Sequence, residues 1–305
     1  MTIRAQDLEA ELWTPIARLD RDALTEAWRQ THYAAQAVVE VGKSWGEPSD
    51  DHSHSAMLFD PEDETWCSLA SDAFGPVRGR LDIGSGVVTV DRDEPNEGAW
   101  IDPTGLSLAQ LSAWTRESTQ RLTGAGERQT SVPAPDLPDH ALSGGASFDL
   151  EDTETLADLD TLYAFTAHML HRLALTQRGR VVDGEHELTP RLWPHHFDAA
   201  SLCVLARDAD GSMTSTIGVG LTPPDDTDEW GYWYVSPWRR QPGATRDENE
   251  TIVPLDRGRW IDRGDTSMAV LPVSVVTRLD DPGEQSKLVA EFVASAFNIC
   301  MEQLV

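Results

Sequence analysis

The chain has little cysteine and no long apolar run. Its three cysteines, Cys67, Cys203 and Cys300, are far apart and form no C-x-x-C pair. The first residues are acidic and carry no apolar stretch of the kind that a secretory signal needs. Sparse cysteine without such a signal is typical of reduced thiols, so we expect a cytoplasmic protein. Nothing approaches the roughly 18 consecutive apolar residues of a transmembrane helix, so no membrane partner is expected.

Positive charge is also scarce, and lysine is nearly absent. The chain has 52 Asp and Glu against 24 Lys and Arg, a net charge of −28, and its only lysines are Lys43 and Lys287. Phosphate binding requires a basic patch, so nucleic acid is not expected as a partner. Two explanations of the acidity stand side by side. One is a halophilic, salt-rich cytosol in which self-repulsion is screened, and the other is a GC-rich genome that favours Arg over Lys. On the first, we expect KCl to stabilise the fold.

The common signatures of catalysis and nucleotide binding are missing. There is no G-x-S-x-G and no H-E-x-x-H, which are marks of common hydrolases. Gly84-Ser-Gly86 and Gly218-Val-Gly220 lack the rest of a dinucleotide fingerprint. The sequence therefore names no reaction, and whether the protein is an enzyme stays undecided at this point.

The order of predicted elements occurs twice along the chain. Each occurrence begins with a predicted helix and a His-containing segment. Segments with strand-like periodicity follow, and then a second predicted helix. The predicted helices cover residues 22–41, 106–122, 157–175 and 284–304, and the His-containing segments cover 51–59 and 193–198. We therefore predict an α+β fold of two related halves. Each half is a mostly antiparallel sheet flanked by helices, and a pseudo-twofold duplication relates the two.

The predicted domain boundaries follow from a segment in which apolar residues show neither helical nor strand periodicity. Residues 126–153 hold three prolines and Gly144-Gly145 and are predicted to be a linker. The first α+β half is then residues 1–125, and the second is residues 154–305.

The segment Trp193-Pro-His-His-Phe-Asp198 is the best candidate for chemistry. Pro194 biases Trp193 toward extended geometry, and alternation along an extended segment would place His196 and Asp198 on one face. A histidine beside a carboxylate suits general-base catalysis, so His196 and Asp198 are the candidate catalytic pair. Trp193 and His195 are candidate ligand-binding residues.

A metal site is one interpretation of the histidines. His52 and His54 also alternate, and joined to His196 and Asp198 across the two halves they would suit a divalent metal such as zinc. The other interpretations are a polar pocket without metal, and structural histidines that anchor a strand start.

The aromatic segment Trp230 to Trp238 is the second candidate. Strand alternation would place Trp230, Tyr232 and Tyr234 on one face, which suits a ligand cleft or an interface. The alternative is a strand buried on both sides whose hydroxyl groups have hydrogen-bond partners.

The duplicated plan and the W-P-x-x-F-D segment, followed by an apolar strand, resemble an uncharacterised bacterial family, the domain of unknown function five-nine-nine-six. The Gly218-Val-Gly220 and Tyr232-Trp-Tyr234 strands are similar to those of its members. The resemblance implies a shared fold over most of the chain and assigns no catalytic roles.

Three functions follow from these patterns. The first is binding of a small polar ligand, with or without a metal, in a cleft at the seam of two repeats. The second is a non-enzymatic protein that forms a homodimer or partner surface through its aromatic strand. The third is a metal-dependent hydrolase.

Overall fold

The computed structural model describes residues 2–10, 15–16, 19–47, 53–72, 75–92, 98–124, 137–177, 189–240, 253–264 and 267–304. Contacts within the chain divide them into two bodies. The first body comprises the described part of residues 19–164 and 191–198, and the second comprises the described part of 1–18, 165–190 and 199–305. No described helix is long and apolar enough to cross a membrane.

The first body is a six-stranded antiparallel sheet with helices. Its strand order is β6-β1-β2-β3-β4-β5. Its strands are β1 (Met57–Asp60), β2 (Thr65–Asp72), β3 (Gly75–Leu81), β4 (Val88–Arg92), β5 (Gly98–Ile101) and β6 (Arg191–Trp193). Its helices are α1 (Arg21–Trp45), α2 (Leu108–Thr123) and the first part of α3 (Thr153–Gln177).

Helix α1 is the buried centre of the first body. Its first turn is capped by the Asp20 carboxylate, which accepts hydrogen bonds from the backbone N–H groups of Asp22 and Ala23, both at 2.9 Å. The helix predicted over residues 22–41 continues past Gly42 to Trp45. A Cβ atom at Gly42 would collide with the His54 carbonyl oxygen, so glycine here permits α1 to lie close to the neighbouring chain.

The Gly84-Ser-Gly86 segment is a tight turn between β3 and β4. Gly86 has a φ of 71°, in the left-handed region, and a Cβ atom there would lie 3.0 Å from a methyl carbon of Leu150. Close packing against Leu150 therefore accounts for this glycine, which is not part of a phosphate-binding loop.

The second body is a five-stranded antiparallel sheet of order β7-β8-β9-β11-β10. Its strands are β7 (Asp198–Arg207), β8 (Met213–Thr222), β9 (Tyr232–Arg239), β10 (Arg259–Asp262) and β11 (Ser267–Pro272). Its helices are the rest of α3, α4 (Val273–Val276) and α5 (Pro282–Leu304). Helix α5 packs on β8, β9 and β11.

Two side-chain amides bind the N-terminal segment to α5. The Asn298 carboxamide accepts a hydrogen bond from the Ile3 N–H at 2.9 Å and donates one to the Ile3 carbonyl at 2.8 Å. Gln285 does the same for Ile16, at 2.8 and 3.0 Å. Each carboxamide thus satisfies a donor and an acceptor of the backbone, as a neighbouring strand would. The segment also buries Ile3, Leu8 and Ile16.

The predicted α+β class and antiparallel pairing are confirmed in both bodies. The three cysteines are buried free thiols. Burial raises the pKa of Cys67 to about 11 and the pKa values of Cys203 and Cys300 to about 12, so little thiolate forms near neutral pH.

Candidate functional site

Trp193 ends β6 in the extended geometry predicted for it, but residues 194–197 form a turn before β7 begins at Asp198, so the predicted extension of the whole segment is wrong. The Phe197 N–H donates to the Trp193 carbonyl at 2.8 Å, and Phe197 has a φ of 59°. This left-handed conformation is strained for a residue other than glycine, and it breaks the alternation that placed His196 and Asp198 on one face.

Helix α1 holds this turn at the Pro194 carbonyl. His32 Nε2 and Gln36 Nε2 both lie 2.9 Å from that oxygen. Because a carbonyl only accepts hydrogen bonds, Nε2 of His32 carries the hydrogen. The His32 ring also stacks on the Phe197 ring, with centroids 5.0 Å apart.

Helix α3 holds the turn at the Phe197 carbonyl. Tyr163 donates its hydroxyl hydrogen to that oxygen at 2.6 Å and accepts from the indole N–H of Trp28 at 2.7 Å. Burial raises the pKa of Tyr163 well above its usual range, and the Asp198 carboxylate raises it further, so the phenol stays protonated and able to donate. The backbone of the motif, rather than its histidine side chains, makes these buried contacts.

The candidate residues of the turn differ in exposure. His196 is exposed, Trp193, His195 and Asp198 are half-buried, and Phe197 is fully buried. Sequence reasoning missed His32, Gln36 and Tyr163, although one signal was present. His32 and Gln36 are four residues apart, so two polar side chains share one face of a helix that is apolar around them.

Replacing His196 by alanine is expected to change the melting temperature by less than about 1 °C, because the side chain is exposed. The matched variant His32→Ala removes a side chain that is only 4% exposed and is expected to cost about 3 kcal/mol. Thermal unfolding followed by circular dichroism compares the two. A loss of several degrees in His196→Ala would show that His196 has a structural role.

The predicted metal site is only partly within the described residues. His52 lies outside them, and His54 lies in a 3-10 helical turn, Ser53–Ser55, rather than at a strand start, so its predicted alternation is wrong. Among the described side chains, no group of three or more His, Cys, Asp or Glu residues is placed to hold a metal ion. The site of His52, His54, His196 and Asp198 therefore stays a prediction.

The aromatic strand begins later than predicted. Gly231 has a φ of 73° and turns the chain before β9, so Trp230 lies outside the strand and the alternation does not extend to it. Tyr232 is 2% exposed, and its hydroxyl donates to the Asp225 carboxylate at 2.8 Å and accepts from Arg263 at 3.2 Å. The buried Tyr232 hydroxyl thus has hydrogen-bond partners within its own body. Tyr234 is more exposed than Tyr232 and is half-buried.

The second body contains a cavity of about 390 Å³ that the sequence did not predict. Its apolar wall consists of Leu271, Val275, Leu279 and Leu288. Gly258 also lines the cavity, with a φ of 75°, and a Cβ atom there would lie 2.9 Å from the Phe292 ring. The volume falls in the range of about 300–1,000 Å³ that is typical of small-molecule sites.

Charged side chains surround this apolar wall. They are Arg257, Arg278, Lys287, Glu284 and Glu291. Arg257 Nε lies 3.1 Å from the Glu291 carboxylate, so these two charges are paired. Arg278, Lys287 and Glu284 form no ion pair within the described residues.

Comparison of the chain with family models, with curated proteins and with solved structures gives no match. The resemblance to the domain of unknown function therefore stays an expectation that rests on the short motifs of the sequence.

Proposed function

We propose that the protein binds a small organic molecule in the cavity of its second body. The observation that carries the proposal is a cavity within one body whose lining combines four apolar side chains with charged ones. Leu271 is 1% exposed, and Val275, Leu279 and Leu288 are half-buried. An apolar wall with a few charged groups is the usual composition of a small-molecule site.

Filling the cavity is expected to abolish binding. Leu288→Trp adds an indole ring to the apolar wall and should weaken binding of a small probe such as hexanol by more than about tenfold. Leu175→Trp is the matched control, since Leu175 is 46% exposed on α3 and does not line the cavity. Methyl NMR titration measures the dissociation constants. Equal affinity in both variants, or no binding to the unmodified protein, contradicts the proposal.

A second candidate function is chemistry at the turn of residues 193–198. The strained φ of Phe197, between His196 and Asp198, favours it, because backbone strain of this kind clusters at functional sites. On this proposal His196 is the general base and Asp198 its carboxylate partner. A substrate whose turnover falls at least tenfold in His196→Ala, with no change in melting temperature, would support it.

We also propose the duplication predicted from the sequence. The order of elements supports it, since α1 precedes strands β1 to β5 and α2, and α3 precedes strands β7 to β11 and α5. The first three strands follow chain order in both sets, β1-β2-β3 and β7-β8-β9, whereas the last two are exchanged, β4-β5 against β11-β10. Superposition of residues 21–123 on residues 153–304 tests the proposal, and a failure of the helices and the first three strands to superpose would contradict it.

A further inference from the structure

We infer that the ligand of the cavity is an organic monocarboxylate, with its charge between Arg278 and Lys287 and its apolar part against the leucines. The inference rests on the proposed function and adds the chemical class of the ligand.

Two cations at the mouth of the cavity carry the inference. Arg278 and Lys287 are both exposed, both line the cavity, and neither forms an ion pair within the described residues. The chain as a whole has a net charge of −28 and more than twice as many acidic as basic side chains. Two positive charges without an ion-pair partner among the described residues therefore lie at one cavity, in a chain with a large excess of acidic side chains.

The remaining charges at the rim favour a single negative charge on the ligand. Arg257 is paired with Glu291, so the other charges are Arg278, Lys287 and Glu284, with a sum of +1. A dianion such as phosphate would meet Glu284 and Glu291 at the same rim, and like charges at short distance repel. A monoanion balances this sum.

The start of α5 does not supply an anion site of its own. The Glu284 N–H already donates to the Asp281 carboxylate at 2.9 Å, and the Gln285 N–H donates to the Asp281 carbonyl at 3.0 Å. Asp281 thus caps the helix and brings a negative charge to its N-terminus. An anion in the cavity is therefore recognised by the Arg278 and Lys287 side chains.

The apolar wall accounts for the rest of the ligand. Leu271, Val275, Leu279 and Leu288 offer no hydrogen-bonding side-chain groups, so a polyhydroxylated ligand would lose its contacts with water without replacement. Burial of a short hydrocarbon group against these side chains lowers the free energy of the complex instead. The two parts together describe a carboxylate with an aliphatic or aromatic body.

Three probes separate the inference from the proposed function. Hexanoate has a carboxylate and an aliphatic chain, benzoate has a carboxylate and an aromatic ring, and hexanol has an aliphatic chain without the charge. Methyl NMR titrations of the full chain, at one salt concentration that keeps it folded, give the dissociation constants. We expect hexanoate to bind about tenfold more tightly than hexanol, as two solvent-accessible ion pairs permit. The ratio of the hexanoate and benzoate dissociation constants then shows whether the cavity prefers an aliphatic or an aromatic ligand.

Substitutions at the rim locate the charge. Arg278→Met and Lys287→Met should each weaken hexanoate binding about threefold and leave hexanol binding unchanged. Glu284→Gln should strengthen hexanoate binding about twofold, because it removes a repelling charge. Arg172→Met, at an exposed arginine of α3 that does not line the cavity, is the control and should change neither.

The outcomes are distinct. If hexanol binds as tightly as hexanoate, the monocarboxylate inference is overturned while ligand binding in the cavity stands. If none of the three probes binds, both are overturned. The comparison of probes on the unmodified protein decides the inference even if a variant fails to fold.

Discussion

Replacing Tyr163 by phenylalanine lowers the stability of the protein by about 3 kcal/mol, which corresponds to a melting temperature roughly 5 °C lower. The lost hydroxyl is both the acceptor of the Trp28 indole N–H and the donor to the Phe197 carbonyl. Trp28, Tyr163 and Phe197 are each 1% exposed or less, so water does not replace the lost bonds. Two buried polar groups are left without partners, and each costs about 1–3 kcal/mol.

Tyr33→Phe is the matched control for this prediction. Tyr33 is also 1% exposed, but its hydroxyl makes one hydrogen bond, to the Pro138 carbonyl at 2.8 Å. We expect a loss of about 1 kcal/mol, clearly smaller than for Tyr163. Thermal and urea unfolding measure both variants. If Tyr163→Phe unfolds at the same temperature as the unmodified protein, the hydroxyl does not hold the turn of residues 193–198.

Replacing Asp160 by asparagine raises stability above pH 7, by up to about 4 kcal/mol at low ionic strength. Burial raises the pKa of Asp160 to about 7, and the carboxylates of Asp82 and Glu64 contribute to the rise. Between about pH 4 and pH 7 the folded protein binds a proton at Asp160 that the unfolded chain has lost. Stability therefore falls as the pH rises through this window, and the whole cost of the buried charge is present above it.

The pH dependence identifies the cause of this effect. Asparagine cannot ionise, so the gain should be full at pH 8 and absent at pH 4. Molar KCl should reduce it, because salt screens the repulsion by Asp82 and Glu64 but not the cost of burial. Asp152→Asn, immediately before the same helix, is the control. The pKa of Asp152 is lowered by hydrogen bonds from Thr155, so its replacement should give no gain at any pH. A gain at Asp160 that is equal at pH 4 and pH 8 would rule out relief of the buried charge.

Helix positions followed from the sequence because apolar residues repeat with the period of a helix. The predicted range 106–122 corresponds to α2 (Leu108–Thr123), and 284–304 corresponds to α5 (Pro282–Leu304). The predicted helix 157–175 lies within α3 (Thr153–Gln177). The antiparallel pairing also followed, since strand-like segments are separated by short turns such as Asp208-Ala-Asp-Gly211.

The candidate site did not follow in the same way, because distant parts of the chain determine it. Pro194 favours extended geometry at Trp193, which ends β6, but hydrogen bonds from His32 and Gln36, far away in sequence, hold the residues that follow in a turn. The cavity joins three segments, 257–258, 271–279 and 284–291, that antiparallel pairing of β10 with β11 and packing of α5 bring together. No local pattern in any one of these segments indicates a cavity.

The central claim is that the second body binds an organic monocarboxylate in its cavity, and intermolecular nuclear Overhauser effects test it most directly. With methyl-labelled protein and hexanoate, we predict effects between the terminal methyl group of hexanoate and the methyl groups of Leu271, Val275 and Leu288. Effects confined to methyl groups outside the cavity, such as those of Leu175, would contradict the claim.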